Sequence, residues 1–340
     1  MKTIDFKDTL NPSQYEAATS VEGPLLVVAG AGTGKTRVIE YRVLNLIVRG
    51  VDPQAILLLT FTRKAARQML ERASRHNNLC HKVEGGTFHS FAYKVIKRYR
   101  KVLGFTGVLS FLDESDSGEA LHLLATKRGF LDRKIRFPKK DTLRTIMSMS
   151  INRSLKIKDV LEKEYPHFLD LTDELQELHK SYIEYKFSQC LLDYDDMLLY
   201  AKFLLEKDEV ASDISSKYKY IMVDEFQDTN KLQAEIVYLL GSVHRNIMAV
   251  GDDTQSIYSF RGAYYKNMFD FPKRFSDCKI LKLEHNYRST QPILDVANAL
   301  IEDEKQKYTK ALFTVKTEGE KPELNFFKDA QKEADFIAQK

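Results

Sequence analysis

Two groups of residues in this chain have the types and spacing for phosphate chemistry. The first is Ala29-Gly30-Ala31-Gly32-Thr33-Gly34-Lys35-Thr36, directly after an apolar run. Its glycines let the backbone curl so that successive N–H groups point at phosphate oxygens, and a helix starting there adds its positive end. In such a loop Lys35 reaches the β- and γ-phosphates and the Thr36 hydroxyl ligates Mg2+. The pattern G-x-x-x-x-G-K-[ST] is met except at its first place, where Ala29 stands for glycine. The second group is Asp224-Glu225, at the end of the apolar run "YIMV". The C-terminal ends of strands form the edge on which open α/β sheets do their chemistry. Asp224 is placed to hold Mg2+, and Glu225 to accept a proton from an attacking water. Either group alone has a plain structural explanation, a glycine-rich turn or a solubilising strand end. Together they predict binding and hydrolysis of a nucleoside triphosphate.

Upstream, "LNPSQYEAA" opens a helix, with Asn11 as N-cap, Pro12 at the first position and Gln14 at the third. Gln14 is explained equally by that cap and by a contact to a purine base.

The elements that must carry these residues are legible as short apolar runs at 24–30, 56–61, 220–225, 247–252 and 280–284. They are mostly non-alternating, as befits strands buried on both faces of a parallel sheet, and helical patterns follow several of them. The expected class is therefore α/β. From about Phe91 to Lys217 strand-like runs nearly vanish and helical patterns take over, which reads as a mostly helical domain inserted into the sheet domain. The expected division is a core of residues 1–92 and 215–279, an insert of 93–214, and a further piece from 280 to 340.

Composition narrows the classes of function. With 43% hydrophobic and 29% charged residues, the 340-residue chain reads as globular. No apolar run is long enough to span a bilayer and the N-terminus lacks a signal-peptide core, so a cytoplasmic setting is expected, with no membrane partner. Three cysteines lie far apart without metal-ligand spacing. The net charge of +4 conceals an asymmetry, since residues 94–158 hold sixteen Lys/Arg against six Asp/Glu. That excess, interleaved with aromatics in "HSFAYKVIKRYRKVLGF", fits a polyanion as partner as well as a solvated face. The carboxylates of "DYDDM" (193–197) read as helix-capping residues rather than a second metal site.

In order and wording these motifs resemble the UvrD/Rep/PcrA group of superfamily 1 DNA helicases. "LNPSQYEAA" is similar to its Q motif, "AGAGTGKT" to its motif I and "ILLLTFTRKAARQM" to its motif Ia. "GTFHSF", "VDEFQDTN", "VGDDTQSIYSFRGA" and "LEHNYRS" continue the series as far as Ser289. The resemblance accounts for Ala29, because the family commonly begins motif I with alanine. It implies a RecA-like P-loop NTPase domain with a parallel sheet, carrying the helical insert as a duplex-facing subdomain. Residues 280–340 would then be the start of a second RecA-like domain, truncated at Lys340.

The resemblance also assigns roles. Residues 29–36 and Arg37 would cradle ATP, Gln14 would bond the adenine, Tyr287 would stack on it, and Arg288 would act as an arginine finger. Gln255 would sense the γ-phosphate. Phe61, Tyr258 and Phe260 would stack DNA bases, with Thr60, Arg63, Thr87, His89 and Arg261 nearby for phosphates. The blander alternatives are core aromatics and, for Arg37, an exposed helix arginine. Family members usually carry Trp where this chain has Phe260, and the chain holds no tryptophan. The implied activity is ATP-dependent 3′→5′ translocation on single-stranded DNA and unwinding at duplex junctions, weak or absent in this piece alone. The helicase subunit of a recombination nuclease, or an ATP- and DNA-binding regulatory module, are the alternatives.

Overall fold

The structure, a computed structural model, describes residues 5–132, 136–259, 262–304 and 307–340. Its centre is a six-stranded sheet built from β1 (Leu25–Ala29), β2 (Ile56–Thr60), β3 (Glu84–Thr87), β6 (Tyr220–Val223), β7 (Ile247–Gly251) and β8 (Lys279–Leu283). The order across the sheet is β3-β2-β6-β7-β1-β8, and every neighbouring pair is parallel. The five apolar runs read from the sequence are β1, β2, β6, β7 and β8.

Alternate residues of each strand feed opposite layers. Leu26 and Val28 of β1 join the core with Phe91 and Phe226 on one face, while Leu25 and Val27 meet Val38 and Leu44 on the other. β1, β2 and β7 are buried along their whole length, because helices cover both faces.

Because all six strands run the same way, their C-terminal ends share one edge. The phosphate loop leaves β1, Asp224 follows β6, Gln255 follows β7, Phe61 follows β2, and Tyr287 and Arg288 follow β8. Residues more than two hundred positions apart are brought to one rim by strand pairing alone.

The α/β class and parallel sheet are as expected. Packing, however, subdivides the long helical stretch. Residues between Ala120 and Tyr182 have a hydrophobic core of their own, including Leu143, Ile146, Val160 and Leu178. Helices Phe88–Tyr99, Tyr194–Leu205 and Asp208–Lys217 instead pack against the sheet, with Phe91, Ile96, Leu198 and Ile214 in the sheet core. The short parallel pair β4 (Ser110–Phe111) and β5 (Leu191–Leu192) ties the chain's entry into the insert to its exit. The expected boundary at 280 falls inside β8, whose pairing with β1 places 279–283 in the first sheet. Among the described residues no helix is long and apolar enough to cross a membrane.

Candidate nucleotide and nucleic-acid site

The phosphate loop depends on two left-handed glycines, Gly32 (φ +71°) and Gly34 (φ +91°). Gly34 is the N-cap of helix Lys35–Val48, and a Cβ there would stand 2.7 Å from Gln14 Nε2. Gln14 is buried beneath the loop and donates from Nε2 to the Thr33 carbonyl at 2.9 Å. Its other end closes the capping box with Asn11, so the cap reading of Gln14 holds and the residue braces the loop as well.

The loop's outer side is held by the segment after β8. Asn286 Nδ2 donates to the Ala31 carbonyl at 2.6 Å, and the Tyr287 N–H donates to the Gly32 carbonyl at 2.9 Å. Tyr287 is half exposed, stacks on His285 at 4.3 Å, and accepts at its hydroxyl from Asn11. Arg288 is exposed, with its N–H bonded to Asn286 Oδ1 and its Cβ against Gly32. Arg37 donates to the Thr9 carbonyl at 3.0 Å and lies over the Tyr41 ring, at the edge of the same corner. Ala29 and Thr33 are buried; the Thr33 hydroxyl bonds back to the Gly30 carbonyl at 2.8 Å.

Facing the loop, Lys35 Nζ lies 3.1 Å from Glu225 Oε2. Glu225 has φ +50°, a conformation that non-glycine residues adopt at a cost of about 1–3 kcal/mol and that clusters at functional sites. Asp224 is only 5% exposed, and its Oδ1 has no hydrogen-bond partner. Burial, and then the neighbouring Glu225, push its carboxyl up to about 7, against the pull of Lys35. Asp228 behaves similarly, raised to about 6 by burial and Glu225, with one buried oxygen unpartnered. An orphaned buried carboxylate oxygen and a threonine hydroxyl lining one cleft offer oxygen donors only, the kind Mg2+ takes. Thr36 and Asp224 line the same cleft, so the residues present fit that ion.

Gln227 braces these carboxylates. Its Nε2 donates to Glu225 Oε2 at 2.8 Å and Asp228 Oδ2 at 3.2 Å, and its Oε1 accepts from the Asp252 N–H at 2.9 Å. Asp252 in turn accepts from Gln255 Nε2 and from buried Lys310, which also pairs with Asp253 at 2.6 Å.

A cleft of about 410 Å³ joins this chemistry to the aromatic residues. Thr36, Asp224, Glu225 and Gln255 line one part, and Thr60, Phe61 and Tyr258 another. Phe61 and Tyr258 stack on each other at 5.0 Å and 22°, and Phe61 is 40% exposed, which makes neither a core aromatic. Arg63 stands exposed at the start of helix Arg63–Ser74 and lines a different groove, with Arg67 and His81. Thr87 is the N-cap of helix Phe88–Tyr99. His89 turns away from the stack, edge-on to Tyr194, into a separate cavity of about 360 Å³ with Asp193 and Asp195. Burial holds its imidazole below the usual range. Phe260 and Arg261 lie outside the described residues. Asp193 caps helix Tyr194–Leu205 and, with Asp196, receives buried Lys186 at 2.6 Å, so these two of the three "DYDDM" carboxylates do serve the helix start.

Sequence reading missed Asn286, Gln227, Asp228 and Lys310. The first three stand inside quoted motifs, but their work is to bond backbone and neighbouring carboxylates, which no spacing reveals. Lys310 lies beyond the last motif.

Comparison with known proteins decides the family. Residues 10–276 match the UvrD/REP helicase N-terminal domain, and residues 281–340 the UvrD-like helicase C-terminal domain. The chain belongs to the UvrD/REP helicase family. Among curated members of that family it is 37% identical over 343 residues to DNA helicase II of Rickettsia typhi, covering 99% of this chain and 51% of the relative. It is 33% identical over 335 residues to the ATP-dependent DNA helicase PcrA of Staphylococcus aureus, covering 96% of this chain and 44% of that protein. This UvrD/REP chain thus spans about half the length of the curated relatives it matches.

Proposed function

We propose that the chain is the ATP-hydrolysing and DNA-gripping part of an ATP-dependent DNA helicase that moves 3′→5′ on single strands. The observation that carries this reading is the shared cleft, in which Thr36 at the end of the phosphate loop, the carboxylates and the stacked aromatics line one opening. The names of its relatives support DNA as the polymer, and the resemblance supports the polarity. On its own the chain is expected to turn ATP over slowly, because the resemblance implies a second RecA-like domain that clamps the nucleotide. We divide it into a sheet domain of residues 5–99 and 194–283, a helical insert and a following piece that opens the second domain.

In this reading the loop N–H groups and Lys35 receive the phosphates, and Gln14 and Tyr287 receive the base. Thr36 and Asp224 would hold Mg2+, which would supply positive charge to offset that of the phosphates. Phosphate arriving at Lys35 takes it from Glu225, which leaves that carboxylate free to accept a proton from water. Arg288 offsets the charge that develops on the transferred group. Gln255, bonded to Asp252, links the phosphate site to the strand that leads to Tyr258.

Stacking makes the DNA grip indifferent to sequence, since every base has a π-face. Phe61→Ala is expected to weaken binding of a dT oligonucleotide by roughly 1–3 kcal/mol. Fluorescence anisotropy on this chain measures it. Unchanged affinity would remove the Phe61–Tyr258 pair from the DNA path and the proposed function with it.

A further inference from the structure

Asn152 ends helix Lys140–Asn152 of the insert, and its side chain bonds both Ser148 of its own helix, at 3.1 Å, and residues of the sheet domain. Its Nδ2 donates to Asp195 Oδ1 at 2.6 Å, and its Oδ1 accepts from Asn230 Nδ2 at 2.7 Å. Asn230, 6% exposed, lies five positions after Glu225 and caps helix Lys231–Leu240 through Gln233. Asn267 bonds the carbonyls of Thr229 and Asn230 at 2.9 and 3.2 Å, and the Tyr264 N–H bonds that of Thr229 at 2.9 Å. A Cβ on Gly262 would lie 3.5 Å from Asn152 Cβ. One side chain of the insert therefore bonds the segment that carries Glu225 and lies alongside Gly262, in the segment that follows Tyr258.

The grooves on either side of this seam carry cationic side chains, of which Arg153 pairs with Glu164 and Arg144 with Glu114. One of about 360 Å³ is lined by Arg153, Lys163 and Lys231, with Tyr264; the other, of about 300 Å³, by Arg144 and Arg153. A polyanion lying along the insert would press on the element that ends in Asn152.

We infer that Asn152 is a positioning residue, through which the helical insert sets the placement of the catalytic segment after β6 when nucleic acid is bound. The inference rests on the proposed ATP- and DNA-binding reading. Asn152 touches no nucleotide-binding residue directly, so it acts through Asn230. A half-buried side-chain amide bonded at both ends can hold or release its partner across the seam, and such a made-or-broken contact is what coupling between sites needs.

The test measures the affinity of the 340-residue chain for a fluorescent, non-hydrolysable ATP analogue with Mg2+, without and with saturating dT oligonucleotide. The wild-type chain is expected to show a several-fold change in affinity on adding DNA, within the usual range of about 5–150-fold for coupled sites. In Asn152→Ala that ratio should fall to within about twofold of one, with each separate affinity held within about threefold of wild type. Asn152→Ser, which keeps a donor and an acceptor, should restore part of the coupling. A wild-type ratio surviving in Asn152→Ala overturns the inference, as does a wild-type ratio of one. Loss of both separate affinities in both variants also overturns it, by assigning Asn152 to the general frame. A wild-type chain that binds neither ligand would instead refute the function on which the inference stands.

Discussion

Glutamine at position 225 leaves a protein that binds ATP and scarcely turns it over. Glu225→Gln keeps size and shape at a site where the backbone sits at φ +50°, and removes the carboxylate's charge and its capacity to accept a proton. It also releases Lys35 from the 3.1 Å ion pair, so that the lysine is free for phosphate before any nucleotide arrives. Single-turnover hydrolysis with saturating single-stranded DNA is expected to slow about 10²–10⁴-fold, the usual worth of a general base. Affinity for a non-hydrolysable analogue should be unchanged or tighter. A variant retaining most of its turnover would take Glu225 out of that role, and Asp228, with its raised carboxyl and unpartnered oxygen, would be the next base to test.

The second large effect concerns Asp224 and has a sign that separates stability from function. Its folded-state carboxyl sits at about 7, above its ordinary 3.8, chiefly through burial. The folded protein therefore holds this proton more tightly than the unfolded chain does. The stability it confers is complete below about pH 4 and is lost as pH rises through about 7. Asp224→Asn removes the loss and keeps the shape. Urea unfolding at pH 8 should show the variant more stable by up to about 4 kcal/mol, with the advantage shrinking towards pH 5. The same variant should lose the stabilisation that Mg2+ and ATP analogue give the wild type. Parallel pH curves for variant and wild type would mean that Asp224 is hydrated and ordinarily ionised. A site that holds a buried carboxylate poised for a cation gives up stability when the cation is away.

How far the sequence carried this account differs between elements, for physical reasons. The five apolar runs became strands because strands covered on both faces must be apolar throughout. β3, "EGGT", was missed because it is an edge strand with no apolar residue, so nothing marks it but its neighbour. β8 was recognised as a strand, and the expected boundary at 280 agrees with where the two family models meet, yet the strand itself pairs into the first sheet. Its pairing with β1 is non-local and leaves no trace in composition. Helix Tyr194–Leu205 was grouped with the insert because helical periodicity does not say which core a helix faces.

In the site, the loop and the two carboxylates were legible because phosphate chemistry prescribes their residue types. The rest was harder. Asn286 is one asparagine among many until its amide is seen on the Ala31 carbonyl, and His89, inside a quoted motif, faces a different cavity from Phe61. Gln14 proved to have the structural work that one of its two readings assigned to it, and that work places it directly under the loop.

The measurement that bears most directly on the central claim is ATP hydrolysis by this chain as a dT oligonucleotide is titrated in. A slow basal rate is expected, rising with DNA to a plateau and disappearing in Lys35→Ala. A rate that stays flat while anisotropy shows the oligonucleotide bound would contradict that claim, because the nucleotide and the stacked aromatics would then share a cleft without sharing a function.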